Sequence, residues 1–383
     1  MGLLTLQTST FSVHGGIPTF NRLVCRTLNG LGFYKNCKVL VATDNCEDVV
    51  RKKSSFPNLE LEAFYGNRTR FVQRILHHVM KQRIDLLLAG HVNYAPLGYL
   101  LRLVQPELRY GVIVHGVDVW SKLAPLRRHG LQQADFIISV SEYSKRQISE
   151  LNGPVNGRFY LLPNALQWDE GYDTGMLALP TSPIGTRLLT VCRLDGAERY
   201  KGVDMVIEAL PSVAAEVPAV KYVIVGSGSD TARLKELARR VGVAERVDFL
   251  GSVNDSELRL QYQACDVFVM PSAGEGFGIV FLEAMQYSKP IVAANSGGSP
   301  EVVQNEGTGL LVRYGDILQL KQTLVRLCLN PELRSRLGQA GRQRLQERFT
   351  FPHFKKTLTN ILFQELPARS VYKARLTELV GNQ

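Results

Sequence analysis

The chain has 383 residues, 45% hydrophobic and 21% charged, the balance of a folded globular protein long enough for two ordinary domains. Its net charge of +10 is uneven: residues 1–160 hold 20 Lys/Arg against 11 Asp/Glu, and the remainder holds 25 against 24. Six scattered cysteines without C-x-x-C spacing argue against a disulfide framework or a zinc site, and the longest charge-free apolar stretch, the 16 residues Leu86 to Leu101, is too short and too polar to span a bilayer.

No basic region precedes the apolar opening residues, and Leu6 stands where an N-myristoylation pattern requires Ser or Thr. The expected location is therefore cytoplasmic. Strands are predicted at Leu3–Thr8, Lys38–Thr43, Leu59–Phe64, Asp85–Leu88, Arg109–His115, Phe136–Ser139 and Phe159–Leu162, with helices such as Ile17–Asn29 and Ser141–Glu150 between them. Gly15-Gly16 lies between the first strand and the first helix. A glycine pair there either lets the backbone approach a phosphate closely or simply closes a loop. Between Arg68 and Arg83, apolar residues at 71, 72, 75, 76, 79 and 80 share one helical face with basic residues around it. Two readings are open: a helix packed on a sheet, or a surface that rides on anionic lipid or a lipid-linked acceptor. The basic rim suits a membrane in either case. His115 follows the apolar strand Val112-Ile113-Val114 and either caps the strand end or faces a ligand.

The alternation breaks over 164–185, a Gly-, Pro- and polar-rich stretch that reads as a linker. It then resumes, with strands predicted at Thr186–Val191, Lys221–Val225, Val247–Leu250, Val267–Met270, Pro290–Ala293 and Gly309–Val312. Helices are predicted at Val203–Val217, Asp230–Val241, Glu257–Gln263, Ile279–Gln286, Ser299–Gln304 and Ile317–Leu329. Phe351–Leu366 and Ser370–Val380 are helical in period. Short apolar strands alternating with amphipathic helices imply two doubly wound α/β domains, each with a parallel sheet whose ligands sit at the strands' carboxyl ends.

Several residues just after strands of the second series suit an anion. Arg193 and, eight residues on, Lys201-Gly202 could neutralise a diphosphate, Arg as a planar fork and Lys as a point charge. Gly226 ends a strand in a Gly-Ser-Gly turn, and Val253 follows the next strand, where a base could pack. The most informative stretch is Glu275-Gly-Phe-Gly-Ile-Val-Phe-Leu-Glu283. Gly276 and Gly278 allow a sharp turn, and the helix expected from Ile279 would offer its free N–H groups and dipole to a phosphate. Glu275 before that helix and Glu283 within it could each hold hydroxyls beside the anion. A phosphate flanked by two such carboxylates describes a nucleotide sugar. No G-x-x-x-x-G-K-[ST] loop, G-x-S-x-G elbow or D-x-D metal pair is present, so no metal or other cofactor is expected. No nucleic-acid motif appears, and aromatics are not interleaved with the basic residues, so no nucleic-acid partner is expected.

Together these residues resemble the retaining glycosyltransferase family 4, which includes bacterial polysaccharide-type enzymes. The likeness rests on Gly15-Gly16, His115, Ser141-Glu142, Pro163-Asn164, Arg193 with Lys201-Gly202, Gly226-Ser227-Gly228, Phe249-Leu250-Gly251, and Glu275 with Glu283. It covers nearly the whole chain. The resemblance implies the GT-B fold, two Rossmann-like domains facing a central cleft. Residues 1–165 would bind the acceptor, 186–350 the nucleotide sugar, and the C-terminal helix 351–383 would pack back on the first domain. By position, Arg193 and Lys201 would grip the diphosphate, and Gly15 and Gly16 would approach it. Glu275 would bind the donor sugar, with Phe277, Gly278, Ile279 and Val280 presenting backbone beside it. Glu283 would hold the ribose, Val253 and Gly226 would lie near the nucleoside, and His115 would contact the sugar near the reacting carbon. The implied reaction moves a sugar from a nucleoside-diphosphate sugar to an acceptor hydroxyl, expected to belong to a lipid-linked or growing surface glycan, without a metal. The rival readings are a sugar-nucleotide epimerase and a catalytically silent sugar-nucleotide-binding module. The sequence departs from the family at Cys192, where glycine is usual, and at Ala165 after Asn164.

Overall fold

The computed structural model describes residues 1–32, 34, 36–166 and 186–366. The predicted helix Ser370–Val380 and linker residues 167–185 lie outside them. By their contacts the described residues form two units, Met1–Ala165 with the chain from Phe351 on, and Leu166–Thr350.

The first unit runs β1 (Gly2–Gln7), α1 (Gly16–Asn29), β2 (Asn36–Val41), α2 (Cys46–Lys53), β3 (Glu60–Ala63), α3 (Arg68–Lys81), β4 (Leu86–Ala89), α4 (Ala95–Val104), β5 (Arg109–Val114), α5 (Pro125–Gln132), β6 (Phe136–Ser139), α6 (Glu142–Asn152) and β7 (Arg158–Leu161). Its sheet is parallel, in the order β3-β2-β1-β4-β5-β6-β7. The second unit runs β8 (Arg187–Val191), α7 (Val203–Glu216), β9 (Lys221–Val225), α8 (Thr231–Arg240), β10 (Val247–Gly251), α9 (Asp255–Ala264), β11 (Val267–Met270), α10 (Ile279–Gln286), β12 (Ile291–Ala294), α11 (Ser299–Val302), β13 (Gly309–Val312), α12 (Ile317–Leu329) and α13 (Pro331–Arg348). Its parallel sheet has the order β10-β9-β8-β11-β12-β13. Both orders are those of a doubly wound Rossmann sheet. The winding direction reverses between β1 and β4 in one unit and between β8 and β11 in the other, which opens a crevice at the strands' carboxyl ends.

The central strands are buried on both faces, which is why they read as short continuous apolar runs such as Leu86–Ala89 and Val267–Met270, whereas the edge strands β3, β7 and β10 are partly exposed and carry polar residues. After α13 the chain enters α14 (Phe351–Gln364), which belongs to the first unit. There Phe354 meets Phe20 of α1 edge-on at 5.2 Å. The fully buried Glu365 takes the Tyr160 hydroxyl at 2.5 Å and the guanidinium groups of Arg158 and Arg109.

The two readings of the basic helix divide residue by residue. Phe71, Ile75 and Val79 of α3 are buried in the core beneath the sheet face, whereas Leu76 and Met80 are 40% and 78% exposed.

Candidate functional site

The second unit's crevice is built by two loops stitched together. After β8 the chain passes Cys192 and Arg193 into a 3-10 turn, Gly196–Lys201, which the Asp195 side chain caps by accepting Ala197 N–H at 2.9 Å. Gly202 follows in the left-handed region (φ 74°), and a Cβ there would sit 2.7 Å from the Pro271 carbonyl oxygen. Only glycine lets this turn lie directly on the loop after β11. Ala273 N–H then donates to Tyr200 O at 2.8 Å. The result brings Lys201 Nζ to 2.5 Å from Glu275 Oε1, with side chains only 18% and 10% exposed. Burial alone would lower the Lys201 pKa; the Glu275 carboxylate outweighs it and pushes the value up to about 12, so the ammonium persists at neutral pH.

Glu275 is fixed from its other side. Its carbonyl accepts Gly298 N–H at 2.7 Å, and Gly298 lies so close that a Cβ would stand 2.3 Å from Gly276 O. Gly278 precedes α10 at φ 88°, and no side chain caps that helix. The first N–H groups of α10, at Ile279 and Val280, therefore open onto the same crevice end as Lys201. Phe277 turns its ring inward against Phe349, edge-on at 5.6 Å, which leaves its backbone as the part it can offer a ligand. One turn into α10, Glu283 Oε2 accepts the Tyr262 hydroxyl at 2.7 Å. Burial pushes the Glu283 carboxyl up to about 6, and the Tyr262 bond opposes that rise only in part.

Gly226 has φ 134°, and a Cβ would meet the Cys192 carbonyl oxygen at 1.8 Å, so the ends of β8 and β9 cross in direct backbone contact. Val253 is half-buried in the loop after β10. Arg193 stands apart from the Lys201–Glu275 pair: its guanidinium ion-pairs with Glu198, and its side chain is 75% exposed. Sequence reading missed Glu198. It also missed the support behind the turn, where Arg233 bridges Asp230 at 2.6 Å and Asp204 at 3.2 Å, and Arg199 reaches Asp230 at 3.2 Å. Only the i,i+3 spacing of Asp230 and Arg233 signalled this network in advance.

The first unit's crevice is of a different character. Gly15, at φ 148°, stands before the uncapped start of α1, and Gly15 and Gly16 are both exposed, with nothing within 4 Å of a Cβ placed at Gly16. The loop after β1 is held by Asp44, which accepts the N–H groups of Thr10 at 3.0 Å and Phe11 at 2.6 Å. His115 leaves β5 with its ring Nε2 2.9 Å from Gly90 O, the ring of Phe20 edge-on at 5.2 Å, and its N–H donated to Asp118 at 3.0 Å. Burial lowers its pKa to about 4, so the ring is neutral at physiological pH. A neutral imidazole whose Nε2 meets a carbonyl carries its proton there, which leaves Nδ1 as an acceptor. His91, unassigned from sequence, stacks on His115 at 6.0 Å and places its Nε2 3.8 Å from Asp118.

The family described as Glycosyl transferases group 1 matches residues 186–344, and Glycosyltransferase Family 4 matches residues 14–167. A GDP-mannose-dependent monoacylated alpha-(1-6)-phosphatidylinositol monomannoside mannosyltransferase of Corynebacterium glutamicum is 31% identical over 273 residues, covering 66% of this chain and 69% of that protein. The chain belongs to glycosyltransferase family 4. A GDP-mannose-dependent alpha-(1-6)-phosphatidylinositol monomannoside mannosyltransferase of Mycobacterium tuberculosis is 33% identical over 249 residues. That match spans 60% of this chain and 63% of the relative, less than two thirds of its length. In fold, the chain is similar to sucrose-phosphate synthase from Thermosynechococcus elongatus, with a TM-score of 0.78 at 22% identity over 95% of this chain and 99% of that one. That likeness shows the fold, two Rossmann-like units of the GT-B kind.

The two departures of this family 4 glycosyltransferase leave the charged groups in place. Burial pushes the Cys192 thiol up to about 12, so it stays protonated beside Lys201. Ala165 is buried at the end of the first unit's main segment.

Proposed function

We propose that the protein transfers a sugar from a nucleoside-diphosphate sugar to an acceptor hydroxyl with retention of anomeric configuration. The observation that carries this reading is the buried Lys201–Glu275 pair beside the uncapped start of α10 at the second sheet's reversal point. A diphosphate seated there meets a persistent ammonium and two backbone N–H groups, and Arg193 reaches it by leaving Glu198. Glu275 takes hydroxyls of the sugar and Glu283 those of the ribose. The bond from the sugar's anomeric carbon to the diphosphate oxygen breaks, and a bond to the acceptor oxygen forms on the same face. The acceptor proton passes to the departing phosphate oxygen. Charge grows on that leaving group, so Lys201, Arg193 and the α10 N–H groups supply the electrostatic stabilisation, without need of a metal. His115 Nδ1 accepts a sugar hydroxyl, and Gly15-Gly16 let the first unit's backbone approach the donor.

The mannosyltransferase relatives make GDP-mannose the first donor to test and phosphatidylinositol mannosides the first acceptors. The test incubates the chain with GDP-, UDP- and ADP-sugars, with and without acceptor, and follows nucleoside-diphosphate release and product anomeric configuration by NMR. Acceptor-dependent release with retention is expected. Epimerised donor formed without acceptor would replace this reading with the epimerase, and donor binding without turnover with the silent module.

A further inference from the structure

We propose that donor binding in the second unit is coupled to an exchange of ion-pair partners, in which Arg199 leaves Asp230 for Glu198 as Arg193 turns from Glu198 to the diphosphate. This exchange rests on the donor site proposed above and adds two residues to it. Glu198 acts as a latch on Arg193, and Arg199 is a positioning residue that releases the latch. Glu198 lies where the 3-10 turn Gly196–Lys201 kinks, at φ −111° and ψ 25°. Its side chain is only 16% exposed, so its carboxylate needs a cation whichever way Arg193 points. Arg193 supplies that cation through their ion pair. A guanidinium that reaches the diphosphate therefore strands Glu198 in a largely buried position. Lys201 cannot replace it, because Glu275 holds the ammonium at 2.5 Å.

The next residue along the turn can resolve this conflict. The Arg199 side chain is 56% exposed and holds Asp230 by one bond, Nε donating to Oδ1 at 3.2 Å. Asp230 does not depend on that bond. Arg233 grips both of its oxygens, Nε on Oδ1 at 2.7 Å and Nη2 on Oδ2 at 2.6 Å, in a bidentate fork. Arg193, Glu198, Arg199 and Asp230 line one narrow cleft together with Lys201 and Arg233. A long, solvated arginine side chain has the rotamer freedom to pass between two carboxylates that share a cleft. After the exchange every carboxylate still faces a cation. Glu198 has Arg199, while Asp230 and Asp204 share Arg233, whose Nη2 is 3.2 Å from Asp204. Glu198 thus competes with the diphosphate for Arg193, and Arg199 offsets that competition.

The test is a double-mutant cycle on nucleoside-diphosphate binding, read by calorimetry on the full chain with GDP, UDP and ADP, beside melting temperature. Glu198→Gln should tighten binding roughly threefold, and Arg199→Gln should weaken it roughly tenfold. In the Glu198→Gln background, Arg199→Gln should change affinity by less than about twofold, because no stranded carboxylate remains to be neutralised. Arg199→Lys should restore most of the affinity. Without nucleotide, Arg199→Gln should melt with the parent, since Arg233 keeps Asp230 paired. Weakening of equal size in both backgrounds overturns the exchange and makes Arg199 a direct phosphate ligand. Unchanged affinity in Arg199→Gln overturns it as well, as does a loss of affinity that tracks a fall in melting temperature. A parent chain that binds none of the three nucleotides removes the donor site and the exchange with it, whereas binding without coupling removes the exchange alone.

Discussion

The two crevices share one topology and differ in electrostatics. In the second unit, the end of β8 and the loop after β11 bring together Lys201, Glu275, Arg193 and Glu198, backed by the Arg233–Asp230–Asp204 network. In the first unit, the corresponding strand ends present glycines, a neutral His115 and carboxylates turned onto backbone N–H groups, as Asp44 and Asp118 are. The same sheet geometry carries ionic side chains at its strand ends in one unit and neutral or backbone-bound groups in the other, which under the proposed transfer would suit a charged and a neutral part of the ligand. A sugar donor has such a division: its diphosphate is anionic, while the hexose and the attacking hydroxyl are uncharged.

The sharpest way to break this contrast is to remove the buried cation. Lys201→Ala should lower kcat by about a hundredfold or more, since losing one preorganised donor to a developing oxyanion costs on the order of 3 kcal/mol. It also strands Glu275 without its partner, which costs stability. The double substitution Lys201→Met with Glu275→Gln separates the effects: thermal stability should recover while turnover stays low. Wild-type-like turnover in either variant would reject the donor assignment. Arg193 should matter less. It is largely solvated and already neutralised by Glu198. Arg193→Ala is expected to lower kcat/KM by about tenfold, an effect that added salt compresses, because exposed charges are screened. A larger loss than that of Lys201→Ala would invert the hierarchy drawn from burial.

How much of this was legible beforehand depends on range. Each of the thirteen strands among the described residues was found within about two residues, most of them because a strand buried on both faces must be a short apolar run wherever it lies. Helix α4 was not singled out. It begins with Ala95-Pro96, contains Gly98 and continues the apolar run from β4, so its period was masked. Gly98 is there because a Cβ would strike the Tyr110 ring at 2.5 Å, a constraint set by β5 and invisible locally. At the site, Glu275 and Glu283 were readable as a spacing with glycines between them. That Lys201 would meet Glu275, 74 positions away, follows from β8 and β11 being sheet neighbours. That Arg193 would turn to Glu198 depends on the 3-10 turn between them. His91 and Asp118 face each other because β4 pairs with β5, and no motif announced them.

A smaller effect tests whether the charged side is tuned as well as charged. Burial pushes the Glu283 carboxyl up to about 6 in the folded protein, above its ordinary value of 4.5. A raised acid favours folding in its protonated form. That contribution is full below about pH 4.5 and lost as pH rises through 6, a difference on the order of 2 kcal/mol. Glu283→Gln should therefore melt higher than the parent at pH 7, with the gap closing toward pH 4.5. Under the ribose assignment the ionised form is the one that accepts hydroxyls. Donor KM should rise several-fold in the parent as pH falls through 6, whereas the variant's KM should be high and flat. A pH-independent parent KM would remove Glu283 from the donor site.

The smallest effect is expected on the neutral side. Asp118 gathers the N–H of His115 along with those of Gly116 and its own residue, and faces His91. Asp118→Ala leaves buried N–H groups without an acceptor, at about 1–3 kcal/mol of stability. It touches no charge proposed to act on the diphosphate. Melting temperature should fall measurably, and kcat only by a few-fold, through loss of the His115 ring position. If Asp118→Ala instead cost as much turnover as Lys201→Ala at unchanged stability, the carboxylate would be acting on the reaction directly. The first unit's crevice would then be charged in function, against the neutrality that separates it from the second.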